Sequence, residues 1–129
     1  MASRLSRRRR PSQSNIRAPG ISILLDADRE YRQRAQDGTL HRIAPRRFNP
    51  GHRAWLPIMH IDRDGWHLTL LFSNTARAHQ LGKTDDWVVV YFDGDDHHEG
   101  QCTIVTETSG LLKGQRVVRG REQEQALAS

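Results

Sequence analysis

The pair Asp64-Gly65 constrains this chain most, because it sits between two segments that alternate in polarity from Trp55 to Phe72. Asp-Gly favours the left-handed conformations of a two-residue type I′ turn, so the flanking segments are expected to fold back as a hairpin. That turn fixes the register: Asp62 opposite His67, Ile61 opposite Leu68, His60 opposite Thr69 and Met59 opposite Leu70. With side chains alternating along each strand, Met59, Ile61, Leu68, Leu70 and Phe72 share one face and His60, Asp62, His67 and Thr69 the other. The first face belongs to a core and the second is polar.

The hairpin needs a partner layer, and the segment before it supplies one. Ile23, Leu24, Leu25, Ala27, Asp28, Tyr31 and Ala35 recur at helical spacing between Ser22 and Gly38. Ser22 is expected as N-cap and Gly38 as the C′ residue. Asp26 and Asp28 precede Arg29, Arg32 and Arg34, the order a helix dipole favours. From Thr39 to Arg53 periodicity stops, and Pro45 and Pro50 forbid a long regular element. After the hairpin, Ser73-Asn74-Thr75 offers N-cap chemistry for a short helix over Ala76 to Leu81, closed by Gly82. The continuous apolar run Trp87 to Phe92 reads as a central strand covered on both faces. Strand, helix, strand in that order points to a right-handed parallel crossover, with an antiparallel connection as the alternative for so short a link. Gln101 to Thr108 is expected to return as a strand, Arg116 to Arg119 to add an edge, and residues from Arg121 to fray. The fold class is α+β (mixed α/β): a mixed sheet of four to five strands with β-hairpins, one N-terminal amphipathic helix and one short helix.

Charge is unevenly distributed. Residues 1–20 hold six arginines and no acid, while the rest carries the remaining 14 bases against all 15 acids. The expected organisation is therefore a disordered Arg-rich tail over 1–20, a single domain over 21–121 with a charge near −1, and a frayed end over 122–129. The tail has two readings, phosphate contact or a solvated linker. No apolar run long enough for a membrane span or signal peptide is present, so a cytoplasmic protein with no membrane partner is expected. Cys102 is the only cysteine, which leaves no internal disulfide and no multi-cysteine zinc site.

Three stretches carry a family resemblance: "LLDADREYRQRAQDGTLHRIAPRRFNP" at 24–50, "WHLTLLFSNTARAHQLGKTDDWVVVYF" at 66–92 and "EGQCTIVTETSGLLKGQRVVRGRE" at 99–122. Together they resemble the C-terminal region of bacterial helix-hairpin-helix DNA-binding proteins, which are related at their N-termini to the front of family X DNA polymerases. In those proteins the repeats come first and an Arg-rich linker follows, and residues 1–20 look like that linker. The resemblance implies a non-enzymatic accessory domain, the C-terminal portion of such a protein without its repeats. It implies DNA as partner and carries no catalytic residue set. After Glu122 the sequence departs from the family's pattern.

The nucleic-acid-binding candidates are Arg7, Arg8, Arg9 and Arg10 in the tail and Arg42, Arg46, Arg47 and Phe48 in the proline-bounded segment. Arginines with no acid among them can track a phosphate backbone while Phe48 stacks or anchors the loop; the competing reading is a surface connector whose Phe48 plugs the core. A second basic stripe, Lys113, Arg116, Arg119 and Arg121, is split between faces by strand alternation. Two clusters invite a divalent metal or acid/base chemistry: His60, Asp62 and His67 on the hairpin, and Asp93, Asp95 and His97 in the acidic loop beyond Phe92. The alternatives to DNA binding are thus a metal-dependent hydrolase or nuclease and a protein-interaction module, with homo-oligomerisation left open. No cofactor is otherwise expected.

Overall fold

The computed structural model describes residues 18–95 and 99–128. The arginines of the tail, the disorder expected over 1–17, and His97 lie outside the described residues, while Ala18 to Gly20, expected within the tail, are placed, with Ala18 packed against the core. Helix α1, Ile21–Asp37, turns Leu24, Ala27, Asp28 and Tyr31 inward, one face at three- and four-residue spacing. Its N-cap is Gly20, not Ser22, and no side chain caps it. Ile21, packed against the core, is drawn in as the first helical residue, and Arg121 donates to the Pro19 carbonyl at 2.7 Å just upstream. Gly38, at φ 74°, ends the helix as the spacing predicts, its N–H bonding to Ala35 and that of Thr39 to Arg34.

Six strands form one sheet in chain order: β1 His41–Ile43, β2 Leu56–Arg63, β3 Trp66–Phe72, β4 Val88–Gly94, β5 Glu99–Thr106 and β6 Arg116–Val118. Every neighbouring pair is antiparallel. The β2–β3 register matches the expected one at all four positions, and Asp64 and Gly65 both take positive φ, 51° and 82°, as a type I′ turn requires.

Two expectations about β4 fail together. The link from Ser73 to Trp87 is long enough for a parallel crossover, but such a crossover must carry the chain back along the whole length of the strand, usually on a helix. Here helix α2, Ala76–Gln80, spans only five residues, and the Ser73 N–H closes the connection on the Trp87 carbonyl at 2.8 Å. The chain returns antiparallel, with Phe72 opposite Val88 and Trp66 opposite Gly94. The sheet is therefore antiparallel throughout, not mixed; the edge expected at Arg116 to Arg119 forms as β6, and β1, a three-residue edge over a segment expected to be irregular, brings the four to five expected strands to six. Nor is β4 covered on both faces: Val88, Val90 and Phe92 are buried while Tyr91 between them is 48 % exposed.

The core lies between α1 and one sheet face, where Leu24, Ala27 and Tyr31 meet Met59, Leu68, Leu70, Val88, Val90, Ile104 and Val118. Tyr31 bolts the layers together: its hydroxyl donates to the Pro57 carbonyl at 2.7 Å and accepts from the Phe72 N–H at 2.9 Å. Burial pushes that hydroxyl far above its ordinary pKa, against the smaller opposing pull of the Phe72 N–H. A satellite cluster of Val105, Leu112 and Val117, with Trp87 and Ala126 against it, covers one end of the opposite face.

The residues expected to fray form helix α3, Glu122–Ala128. Its Gln125 is buried and supplies what a further strand would: Oε1 accepts from the Val118 N–H at 3.2 Å and Nε2 donates to the Arg116 carbonyl at 2.8 Å. The edge of β6 is thereby closed. Among the described residues no helix is long and apolar enough to cross a membrane.

Candidate nucleic-acid interface

With α1 on one side of the sheet, the other side is left largely open among the described residues, and its strands place Ile58, His60, Leu71, Thr69, Val89, Tyr91, Gln101 and Thr103 there by alternation. The two ends of this face differ in charge.

At the end near β1, the segment 44–53 lies beside the sheet as a built loop. Asn49, itself buried, holds it: Nδ2 donates to the carbonyls of Pro45 at 3.0 Å and Arg53 at 2.9 Å, and Oδ1 accepts the Arg53 N–H at 3.2 Å. Asn74, just before α2, donates to the Arg47 carbonyl at 2.9 Å and accepts from His79 Nε2 at 2.6 Å. Phe48, at φ 53°, lays its ring on that imidazole with centroids 4.5 Å apart, and the Arg47 guanidinium stands 6.0 Å from the ring centre. Phe48 is half exposed, so it anchors the loop to α2 and does not plug the core. Between loop and sheet runs an apolar groove of about 320 Å³, with Arg46 and Arg47 on one wall and Leu71, Val89 and Tyr91 on its floor. A second groove of about 410 Å³ adjoins it through Ser73 and Thr75 and carries Arg77, Trp87, Thr103 and Val105.

The arginines sort into two groups. Arg29, Arg32, Arg34, Arg63, Arg116, Arg119 and Arg121 each pair with a carboxylate. Arg42, Arg46, Arg47, Arg53 and Arg77 have no ion pair among the described residues. Four of these five lie on the β1 strand and the loop after it, and Arg77 is on the helix against which that loop is anchored. Arg42 stands apart from Arg46 and Arg47: it is opposite Pro57 in β1 and lines a groove with Arg32 and Trp55 on the α1 side. The second basic stripe does not form a patch, because Arg116 turns inward to Asp28 and Asp86 while Arg119 pairs with Glu107 and Glu122 and Arg121 with Glu124, which leaves only Lys113 of the four without an ion pair among the described residues.

The far end of the face is acidic. His67 Nδ1 lies 2.6 Å from Asp62 Oδ1 and its Nε2 3.5 Å from Asp95 Oδ1, with Asp93 its cross-strand partner. The hydrogen bond to Asp62, then the Asp62 charge, raise the imidazole's pKa, with Asp93 and Asp95 adding to it. His60 Nδ1 pairs with Thr69 Oγ1 at 3.0 Å. Asp62 is thus hydrogen-bonded to His67 while Asp95 stands only at ion-pair distance on its other side, and among the described residues no three His, Cys, Asp or Glu side chains converge on a point an ion would occupy. Cys102 faces the core beside Val90, and burial pushes its thiol up to about 11.

Sequence reasoning missed Asn49, Asn74, Arg77 and Tyr91. Nothing in the run Trp87 to Phe92 itself sets Tyr91 apart; only the register, which puts it opposite the polar Thr69 and Gln101, marks its face as the wet one. In comparisons with known proteins, no family model, no curated protein and no solved structure matches this chain.

Proposed function

We propose that this protein is a non-enzymatic DNA-binding accessory domain whose folded part holds the phosphate backbone through Arg46 and Arg47, with Arg77 beside them and Arg7, Arg8, Arg9 and Arg10 adding charge. One observation carries the reading: the other arginines among the described residues are each matched by a carboxylate, and of the unmatched ones all but Arg42 lie on one anchored loop or on the helix that anchors it. Guanidiniums with internal partners have little left to offer a phosphate, whereas unmatched ones on a fixed backbone present their donors outward. The resemblance to the C-terminal region of helix-hairpin-helix DNA-binding proteins supports the same partner.

The test is a fluorescence-anisotropy titration of a labelled DNA oligonucleotide with the full chain. Affinity is expected to fall on the order of a thousandfold between about 50 and about 200 mM salt if roughly six phosphates are neutralised. Absence of binding at low salt refutes the reading.

A further inference from the structure

We infer that the open sheet face beside the arginine loop is a platform for single-stranded DNA, with Tyr91 as the stacking ring. This rests on the DNA-binding reading and adds the form of the ligand. Tyr91 is in the fourth of six strands, so the middle of the sheet, not an edge, leaves an aromatic ring 48 % exposed. Leu71 and Val89 extend the apolar floor next to it, and among the described residues no element covers them.

Charge identifies the occupant. The groove that ends on Tyr91 has Arg46 and Arg47 as its wall, so a phosphate on the guanidiniums leaves its own base within reach of the ring. Thr69 and Gln101 flank Tyr91 on the neighbouring strands and offer a hydroxyl and a carboxamide to base edges. Beyond Tyr91 the face turns acidic at Asp93 and Glu99, which repel phosphate and end the track. A duplex keeps its bases stacked inside, where the middle of a broad sheet cannot touch them; a single strand can splay its bases onto such a surface.

The experiment compares a labelled single-stranded oligonucleotide with its duplex, at low salt, on the full chain and its Tyr91→Ala and Tyr91→Phe variants, with circular dichroism confirming the fold. The single strand is expected to bind more tightly than the duplex. Tyr91→Ala should weaken single-strand binding about tenfold, the effect of losing one stacked base, and Tyr91→Phe should retain it. Equal or tighter binding of duplex, or an unchanged single-strand affinity in Tyr91→Ala, overturns the inference while the parent reading stands. A chain that binds neither oligonucleotide overturns both. Light scattering that shows a dimer lost in Tyr91→Ala, with single-strand affinity unchanged, assigns the face to a second copy and also overturns it.

Discussion

At the scale of single residues, Asp28 does the least expected work. It is fully buried, and Arg116, 88 residues away, grips it with two nitrogens at 2.8 and 3.0 Å while Arg32 adds a third contact at 3.0 Å. The same guanidinium reaches Asp86 at 3.1 Å and the Thr106 hydroxyl at 3.2 Å, joining α1 to the β5–β6 pair. Burial works to raise the Asp86 carboxyl, but the two Thr106 hydrogen bonds and Arg116 outweigh it and leave the pKa lowered. Asp28→Ala takes both Asp28 contacts from Arg116 and leaves it Asp86 and the Thr106 hydroxyl, so it should cost about 1.5–3 kcal/mol in urea unfolding. A double replacement with Arg116→Met should cost much less than the two singles summed. A loss for Asp28→Ala below about 1 kcal/mol would show that the pair is not holding the layers. The order of acids and bases along α1 made Asp28 look like a dipole residue, because a buried charge is legible only once its distant partner is known.

His67 provides a second residue-scale prediction. Its pKa is raised from the ordinary 6.5 chiefly by Asp62, so the Asp62–His67 contact stabilises the hairpin fully below pH 6.5 and is lost as pH rises through the raised value. An NMR titration of the wild type should find the His67 midpoint above 6.5, and Asp62→Asn should bring it down. An unmoved midpoint in that variant would remove Asp62 as the cause.

Among elements, the ones legible in advance are those whose signals are local. The β2–β3 hairpin followed from period-two alternation and a turn dipeptide that tolerates positive φ, and the end of α1 from the glycine placed there. The elements misread depend on distant neighbours. The run Trp87 to Phe92 looks buried on both sides because Val89 and Tyr91 are apolar, yet which layers cover a strand is not encoded in the strand. Likewise α3 has no apolar stripe, and besides Ala126 against the satellite cluster and Glu122 against Arg119, its docking uses a carboxamide matching the unpaired groups of β6. Gln125→Ala leaves that N–H and carbonyl without partners, which should cost roughly 1–3 kcal/mol and speed hydrogen exchange at the Val118 amide. Unchanged protection at Val118 would mean that the edge is closed by something other than Gln125.

For the whole molecule, net charge conceals the feature that matters. The folded part is close to neutral, but its pairing is uneven, with acids around His67 at one end of the open face and unmatched guanidiniums at the other. The cluster at Arg46 and Arg47 was visible in the sequence as bases with no acid among them. What was not visible is that Arg42 would turn to the α1 side, that Arg77 would join from α2, and that an exposed tyrosine would complete the groove. Those depend on how strands are ordered and which sheet face the helix takes.

If the unmatched arginines bind the phosphates, position must count and net charge alone must not. The most direct measurement compares two double variants that each remove two positive charges, Arg46→Ala/Arg47→Ala and Arg29→Ala/Arg34→Ala, by the slope of log affinity for DNA against log salt. The first should lower the slope by about 2, roughly one per lost phosphate contact, and weaken binding at low salt, while the second leaves both near wild type. Equal losses in the two variants would contradict the account, since binding would then follow overall charge and not the loop.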